Sequence, residues 1–267
     1  MSKNSPMSHE KPVVLFVPGG VMPADLSYGS LLRVLGDHVR PLVKDLEVYA
    51  GDTPPEGFGL GTEVEGIRRV ADAAGAISFH LVGYSAGGAS SLAFTAKYPD
   101  RLLSLTLIEP AWIGTPTPED AQDWAELNRL MTLPPAEQMA AFGRWQMRPG
   151  IPPVSVPLPP GPPPAWMVKR PAGLIAFSRA FNSYTLDQNR YRLMHGPVYY
   201  AFGTLSTRYY ERASRKLAGL FPDFQVEEYE GRSHFDPPHR AEPERFAHAL
   251  KLMWARAEAA PAVAHQV

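Results

Sequence analysis

The pentapeptide Gly83-Tyr84-Ser85-Ala86-Gly87 constrains this chain more than any other stretch. It follows the apolar run Phe79-His80-Leu81-Val82, which reads as a buried strand. It opens a helical pattern over residues 86–98 that stops at Pro99. A G-x-S-x-G element between a strand and a helix describes a sharp turn that forces its serine into strained backbone geometry. Glycines at both ends leave room for the turn, because a side chain there would strike the neighbouring strand and helix. Ser85 would then stand clear of the sheet, at a helix N-terminus whose dipole favours developing negative charge. Outside that context the pentapeptide would be a turn of small residues without chemistry.

Short apolar runs alternate with longer helical patterns along the rest of the chain. Strands are expected over residues 13–17, within 39–46, and over 79–82, 102–108, 198–202 and 224–229. Helices are expected over residues 61–74, 86–98, 209–220 and 242–257. This alternation predicts an α/β fold with a mostly parallel, doubly covered sheet. Residues 112–195 break the rhythm, with helical segments and no convincing strand. They read as a helical lid inserted between two parts of one core, residues 12–111 and 196–257. A linker between two domains is the other reading, but the strands resume after it with no new start signal. Residues 149–164 hold nine prolines in sixteen positions, which predicts an extended loop. The tails, residues 1–11 and 258–267, are expected to be disordered.

Composition removes several classes of function. The formal net charge is -1 with 20% charged residues, and no basic run carries interleaved aromatics, so a nucleic-acid partner is not expected. The chain has no cysteine, which excludes disulfides, thiolate metal sites and a cysteine nucleophile. The polar N-terminus lacks a signal-peptide pattern, and residues 13–17 are far too short to span a bilayer. The expectation is a soluble, cytoplasmic protein acting on a small molecule, with oligomeric state left open. His234, Asp236 and His239 lie close together in sequence, but their spacing fits no common metal site, and no metal or cofactor is expected.

The order of strand, glycine loop, Gly83–Gly87 turn, inserted segment and late histidine, across residues 13–257, resembles the α/β-hydrolase superfamily, in its lid-bearing serine hydrolase branch. The resemblance implies that Ser85 is a nucleophile whose base lies in the loop after the last strand. His234 in Gly231-Arg232-Ser233-His234-Phe235 stands at that position. His80 falls inside a strand; His38, His195 and His248 default to the surface. The commonest family pattern has an aspartate in the loop after the strand matched by residues 198–202. Here that loop is Gly203-Thr204-Leu205-Ser206-Thr207, and Ser206 stands in the aspartate's place. Glu109, at the end of the strand that follows the turn's helix, is the candidate replacement. Asp236, Asp187 and a Ser–His dyad without an acid are the alternatives. An oxyanion hole is implied at the backbone N–H of Ala86 and at Gly20 in Pro18-Gly19-Gly20-Val21, with Val21 the competing donor. Val21, Tyr84 and Trp112 are candidate substrate-pocket residues.

These residues point to hydrolysis of a carboxylic ester or lactone through an acyl-enzyme, with no cofactor. Thioester, amide or carbon–carbon cleavage, or acyl transfer, on the same residues is the alternative. So is a weakly catalytic ligand-binding protein. Dehalogenase and epoxide hydrolase chemistry is disfavoured, because those relatives carry an aspartate where Ser85 stands. Trp112, Trp124, Trp145, Trp166 and five methionines fall in the inserted segment, either as its own core or as an apolar wall over the site.

Overall fold

The strands alternate in what they bury. In the computed structural model, which describes residues 11–114, 117–152 and 162–259, β1 (Val13–Val17) turns Leu15 and Val17 to one face and Val14 and Phe16 to the other. Both faces are apolar, as a parallel sheet covered on both sides requires. The chain continues through α1 (Ala24–Leu35), β2 (Arg40–Val43), α2 (Leu60–Ala73), β3 (Phe79–Tyr84), α3 (Ala86–Lys97) and β4 (Leu102–Ile108). Helices α4 (Ala121–Leu130), α5 (Pro135–Trp145), α6 (Ala165–Val168) and α7 (Arg170–Ser183) follow before the next strand. The fold closes with β5 (Val198–Gly203), α8 (Arg208–Ala218), β6 (Phe224–Tyr229), α9 (Pro238–Ala241) and α10 (Pro243–Ala259).

The strands form one parallel sheet in the order β2-β1-β3-β4-β5-β6. Leu15, Val17, Leu81, Leu105 and Leu107 pack with Val64 and Ile67 of α2 and Ala89 and Leu92 of α3. Val14, Phe16, Val82 and Ile108 pack on the opposite face with Tyr28 and Leu31 of α1 and Phe246, Leu250 and Trp254 of α10. Each such side chain, taken fully out of water, contributes on the order of 2 kcal/mol. β2 carries Pro41 and is largely exposed, as suits an edge strand. α3 runs buried through the molecule, and its Ser90, Ser91 and Thr95 hydroxyls donate to carbonyls one turn back at 2.9, 2.7 and 2.8 Å. That leaves no polar atom of the three wanting in a dry setting.

The parallel, doubly covered sheet agrees with the α/β expectation; α1 was not expected from the sequence, and the ends also differ. α10 continues to Ala259, so residues 258–259 are helical rather than part of a disordered tail, and Lys11 lies 3.4 Å from Asp37. The remainder of both tails, and residues 153–161 of the proline-rich stretch, lie outside the described residues. Among the described residues no helix is long and apolar enough to cross a membrane.

Two histidines are buried for structural reasons. His80 Nδ1 lies 2.8 Å from Ser104 Oγ, and burial pushes its pKa down to about 4. His239 packs against the rings of Tyr28 and Tyr84; burial, then Arg240 and His234, push it down to about 3. Both stay neutral in the fold, while the unfolded chain takes up protons near pH 6.5. Below that pH the unfolded state binds more protons, so stability falls as pH falls from 6.5 toward 4. The slope should reach about 1.4 kcal/mol per pH unit for each histidine. Urea midpoints taken between pH 7 and 5 should show this loss, and a His80→Gln variant should lose less. A midpoint that stays still over that range contradicts the assignment.

Candidate active site

Ser85 links β3 to α3 with φ 53° and ψ −115°. A Cβ at Gly83 would lie 2.6 Å from the Gly87 carbonyl oxygen, and one at Gly87 would lie 2.5 Å from that of Pro18. Backbone atoms cannot move aside, so the turn demands glycine at both positions. Among the described residues, the non-glycine residues with positive φ are Ser85 and Glu109, at 53° and 44°. Such conformations cost on the order of 1–3 kcal/mol each and persist only where the surroundings fix them. Hydrogen bonds do the fixing. Ser85 N–H donates to Ile108 O at 2.9 Å, Ser85 O accepts from Ala111 and Ala89, and Glu109 N–H donates to Ala201 O at 3.2 Å.

The strain brings three distant side chains into line. Ser85 Oγ lies 3.1 Å from His234 Nε2, and His234 Nδ1 lies 2.7 Å from Glu109 Oε2. All three are buried, Glu109 completely. The other carboxylate oxygen of Glu109 accepts from the Gly203 N–H at 2.8 Å and from the Ser206 hydroxyl at 2.5 Å. Ser206, at the position of the family's usual aspartate, thus donates to Glu109. Hydrogen bonds to a charged group are worth about 1.5–3 kcal/mol each, which offsets much of the cost of burying this carboxylate.

The imidazole is also held by its neighbours. Tyr210 stacks on His234 with ring centres 5.1 Å apart and planes at 5°, and its hydroxyl donates to Gln146 Oε1 at 2.6 Å. The Tyr84 hydroxyl donates to the His234 carbonyl. Burial first, and the Glu109 charge second, raise the Tyr84 pKa, so that donor stays protonated. The competing acids lie elsewhere: Asp236 pairs with Arg232 at 2.8 Å, and Asp187 caps Asn189 N–H at 3.0 Å. Among the described residues no group of three or more His, Asp or Glu is arranged to hold a metal ion.

Ala86 is the first residue of α3, so its N–H has no partner within the helix. Gly20 faces it: a Cβ at Gly20 would come 3.7 Å from that of Ala86. The Gly20 carbonyl accepts from the Tyr49 hydroxyl at 2.6 Å. This bond fixes the peptide plane between Gly20 and Val21. Tyr49 is itself clamped under the Arg170 guanidinium, 3.9 Å from its ring centre. Burial pushes the Tyr49 phenol up to about 12, so it donates at neutral pH.

Two cavities meet at Ser85. The first is small and mostly apolar, about 40 Å³, and lies between Gly20, Val21 and Ala86 and the side chains of Met131, Phe142, Trp145 and Phe177. The second, about 360 Å³, includes His234, Tyr84, Trp166, Met167, Phe235 and Arg240. The inserted helices therefore build walls of both. Trp112 does not line either cavity, contrary to expectation. It is fully buried, stacked on Phe181 with ring centres 5.8 Å apart and edge-on to Tyr184 at 6.0 Å. Trp124 is likewise core. The tryptophans of this segment are thus divided between its core and the cavity walls. Sequence reasoning missed Tyr49, Gly203, Tyr210 and Arg240, and saw Ser206 only as a gap. The sole advance signal was the uncompensated serine in the β5 loop.

None of the curated proteins searched by sequence matches the chain. Solved structures do. A carboxylesterase, CesB, from Bacillus subtilis superposes with a TM-score of 0.62 at 17% identity, over 92% of this chain and 84% of its own. A thermophilic esterase from Thermogutta terrifontis gives 0.66 at 18%, over 92% and 90%. A meta-cleavage product hydrolase, CumD, gives 0.61 at 14%, over 92% of each chain. At these identities the likeness is one of fold. The family model for the alpha/beta hydrolase family matches residues 14–249, from β1 into α10, and so takes in the sheet, the turn at Ser85 and the loop of His234. With most of its length matched in this way, and its six parallel strands covered on both faces, the chain belongs to the alpha/beta hydrolase family.

Proposed function

We propose that this hydrolase cleaves carboxylic esters of short, apolar acids through an acyl-enzyme on Ser85. The observation that carries the reading is the unbroken chain of hydrogen bonds from Ser85 Oγ to His234 to Glu109, at 3.1 and 2.7 Å, at the junction of two cavities. His234 Nε2 takes the Ser85 proton as Oγ attacks the ester carbonyl. The N–H groups of Ala86 and Gly20 receive the charge that gathers on the carbonyl oxygen. His234 then gives its proton to the leaving alcohol, and water, deprotonated in turn by His234, releases the acid.

That proton transfer supports an orientation for the substrate. The leaving oxygen must sit beside Nε2, and the larger cavity contains His234 while the smaller does not. The alcohol therefore lies in the larger cavity and the acyl chain in the smaller. By volume the smaller cavity takes about three water-sized groups, which suits an acyl chain of a few carbons. Its wall is largely apolar, with Leu127, Met131, Phe142, Trp145, Phe177 and Phe181, which favours alkyl over charged acyl groups.

A fluorophosphonate probe tests the reading. Incubated with the protein, it should attach to Ser85 Oγ with loss of fluoride, and peptide mass spectrometry should find the adduct there. p-Nitrophenyl butyrate should be cleaved faster than the laurate ester. Absence of labelling, or labelling confined to another residue, would refute the proposal.

A further inference from the structure

The larger cavity contains a cation that the chemistry above does not use. The Arg240 guanidinium lies against its wall, donating from one nitrogen to the Phe235 carbonyl and from another to Met22 Sδ at 3.6 Å. Met22 and Phe235 both line this cavity, as do Ser85 and His234. The rest of the wall is mainly apolar, through Val21, Leu26, Trp166 and Met167. Among the described residues no carboxylate pairs with Arg240, whereas the nearby Arg232 and Arg245 each hold two acidic partners. Guanidinium carries five N–H donors, so about three remain for a ligand. A half-buried cation on an apolar wall is poorly solvated, and a carboxylate is the partner that matches its planar fork.

We propose that Arg240 binds a carboxylate on the alcohol portion of the substrate, so that the preferred esters are those of short acids with hydroxy acids. This rests on the ester-hydrolase reading for the identity of the leaving side. The carboxylate sits in the larger cavity, with the ester oxygen turned toward His234 and the acyl chain beyond Ser85. The product alcohol is then an anion held by the same arginine, and the acid leaves from the smaller cavity. The alternative role of Arg240 is purely structural, a staple from its guanidinium to the Phe235 carbonyl that shapes the loop after His234. The two roles differ in what they predict for neutral and charged substrates. A staple affects all esters alike; a carboxylate site affects only the charged ones.

Two esters of nearly equal shape separate them: 3-butyryloxybenzoate and 3-butyryloxybenzamide. At pH 7 the parent protein should favour the benzoate in kcat/KM by about tenfold, the gain typical of one charge-assisted pair at a part-exposed site. In Arg240→Gln the benzoate-to-benzamide ratio should fall about tenfold, and Arg240→Lys, which keeps the charge without the fork, should keep part of the preference. Calorimetry on Ser85→Ala should show the same preference in Kd, abolished by adding Arg240→Gln. If Ser85→Ala binds the two compounds alike, or if Arg240→Gln slows both esters equally, the proposal is overturned. If Ser85→Ala favours the benzoate but the parent cleaves neither ester, the carboxylate site stands and the ester-hydrolase reading falls.

Discussion

Replacing Ser85 by alanine is expected to lower kcat on p-nitrophenyl butyrate about 10⁶-fold, His234→Ala by a similar factor, and the double variant by no more than either alone. The expectation follows from the proposed mechanism, in which the two side chains act as one unit. Without the imidazole at 3.1 Å, the hydroxyl keeps its proton and is a weak nucleophile. Without the hydroxyl, the imidazole has no proton to take from the protein and no acyl-enzyme forms. On the proposed mechanism, what survives is binding and the polarising effect of the N–H groups at Gly20 and Ala86, worth about 10³–10⁴ over water in comparable sites. Ser85→Ala removes one oxygen and keeps the Cβ that the turn already accommodates, so its thermal midpoint should move little while the rate collapses. His234→Ala also takes away a buried ring stacked on Tyr210 and the partner of Glu109, so it should lose stability as well. Multiplicative losses in the double variant would show that Ser85 and His234 do not work on the same step.

Glu109→Gln should cost about 10⁴-fold in kcat, a figure anchored to the loss seen when a triad aspartate becomes asparagine. The surroundings of the carboxylate explain why so small a change weighs so much. Gly203 N–H and the Ser206 hydroxyl both donate to Oε1, at 2.8 and 2.5 Å. In the glutamine variant the amide oxygen must stay there to accept both bonds. The amide NH₂ is then turned toward His234 Nδ1, which becomes the acceptor. The proton of the neutral ring moves to Nε2, the atom that has to take the proton from Ser85. The base is thus present but in the wrong tautomer, and the imidazolium also loses its counter-charge. Ser206→Ala should have a smaller effect, about tenfold, because Gly203 still holds the carboxylate. Steady-state kinetics on the three proteins, with urea midpoints as a control on folding, would check this ordering. A Glu109→Gln protein within tenfold of the parent would mean that another group orients the imidazole, or that none is needed.

Much of the fold was legible because its signals are local. Apolar runs bounded by glycine and proline marked the strands, and the helical spacing of Val64, Ile67 and Val70 marked α2. Glycines at 83 and 87 announced the turn at Ser85, since the atoms that forbid a side chain there belong to the turn and to the adjacent strand's end. The resemblance to a known family drew attention to His234 and to the missing aspartate, and chain position drew attention to Glu109.

The remainder depends on contacts between residues far apart in sequence, which no local pattern encodes. Glu109 meets His234 across 125 positions and Ser206 across 97. Ser206 looked like an absence because a serine cannot replace a carboxylate. Its hydroxyl proves useful only because β4 and β5 lie side by side and bring the end of one to the loop of the other. Trp112 was misplaced for a related reason. An aromatic residue just after the strand of Glu109 can face a cavity or the core, and the stacking partner that draws it inward, Phe181, belongs to α7. The division of the space around Ser85 into a small, mostly apolar cavity and a larger one bearing Arg240 likewise arises where β-strand ends and inserted helices converge. By itself the sequence determined the strands, the helices α2, α3, α8 and α10 and the strained turn, but not α1, since steric repulsion and hydrophobic periodicity act over a few residues. Only the tertiary structure decided which carboxylate reaches the imidazole and what shape of substrate the serine can meet, because those distances are set by how whole elements pack.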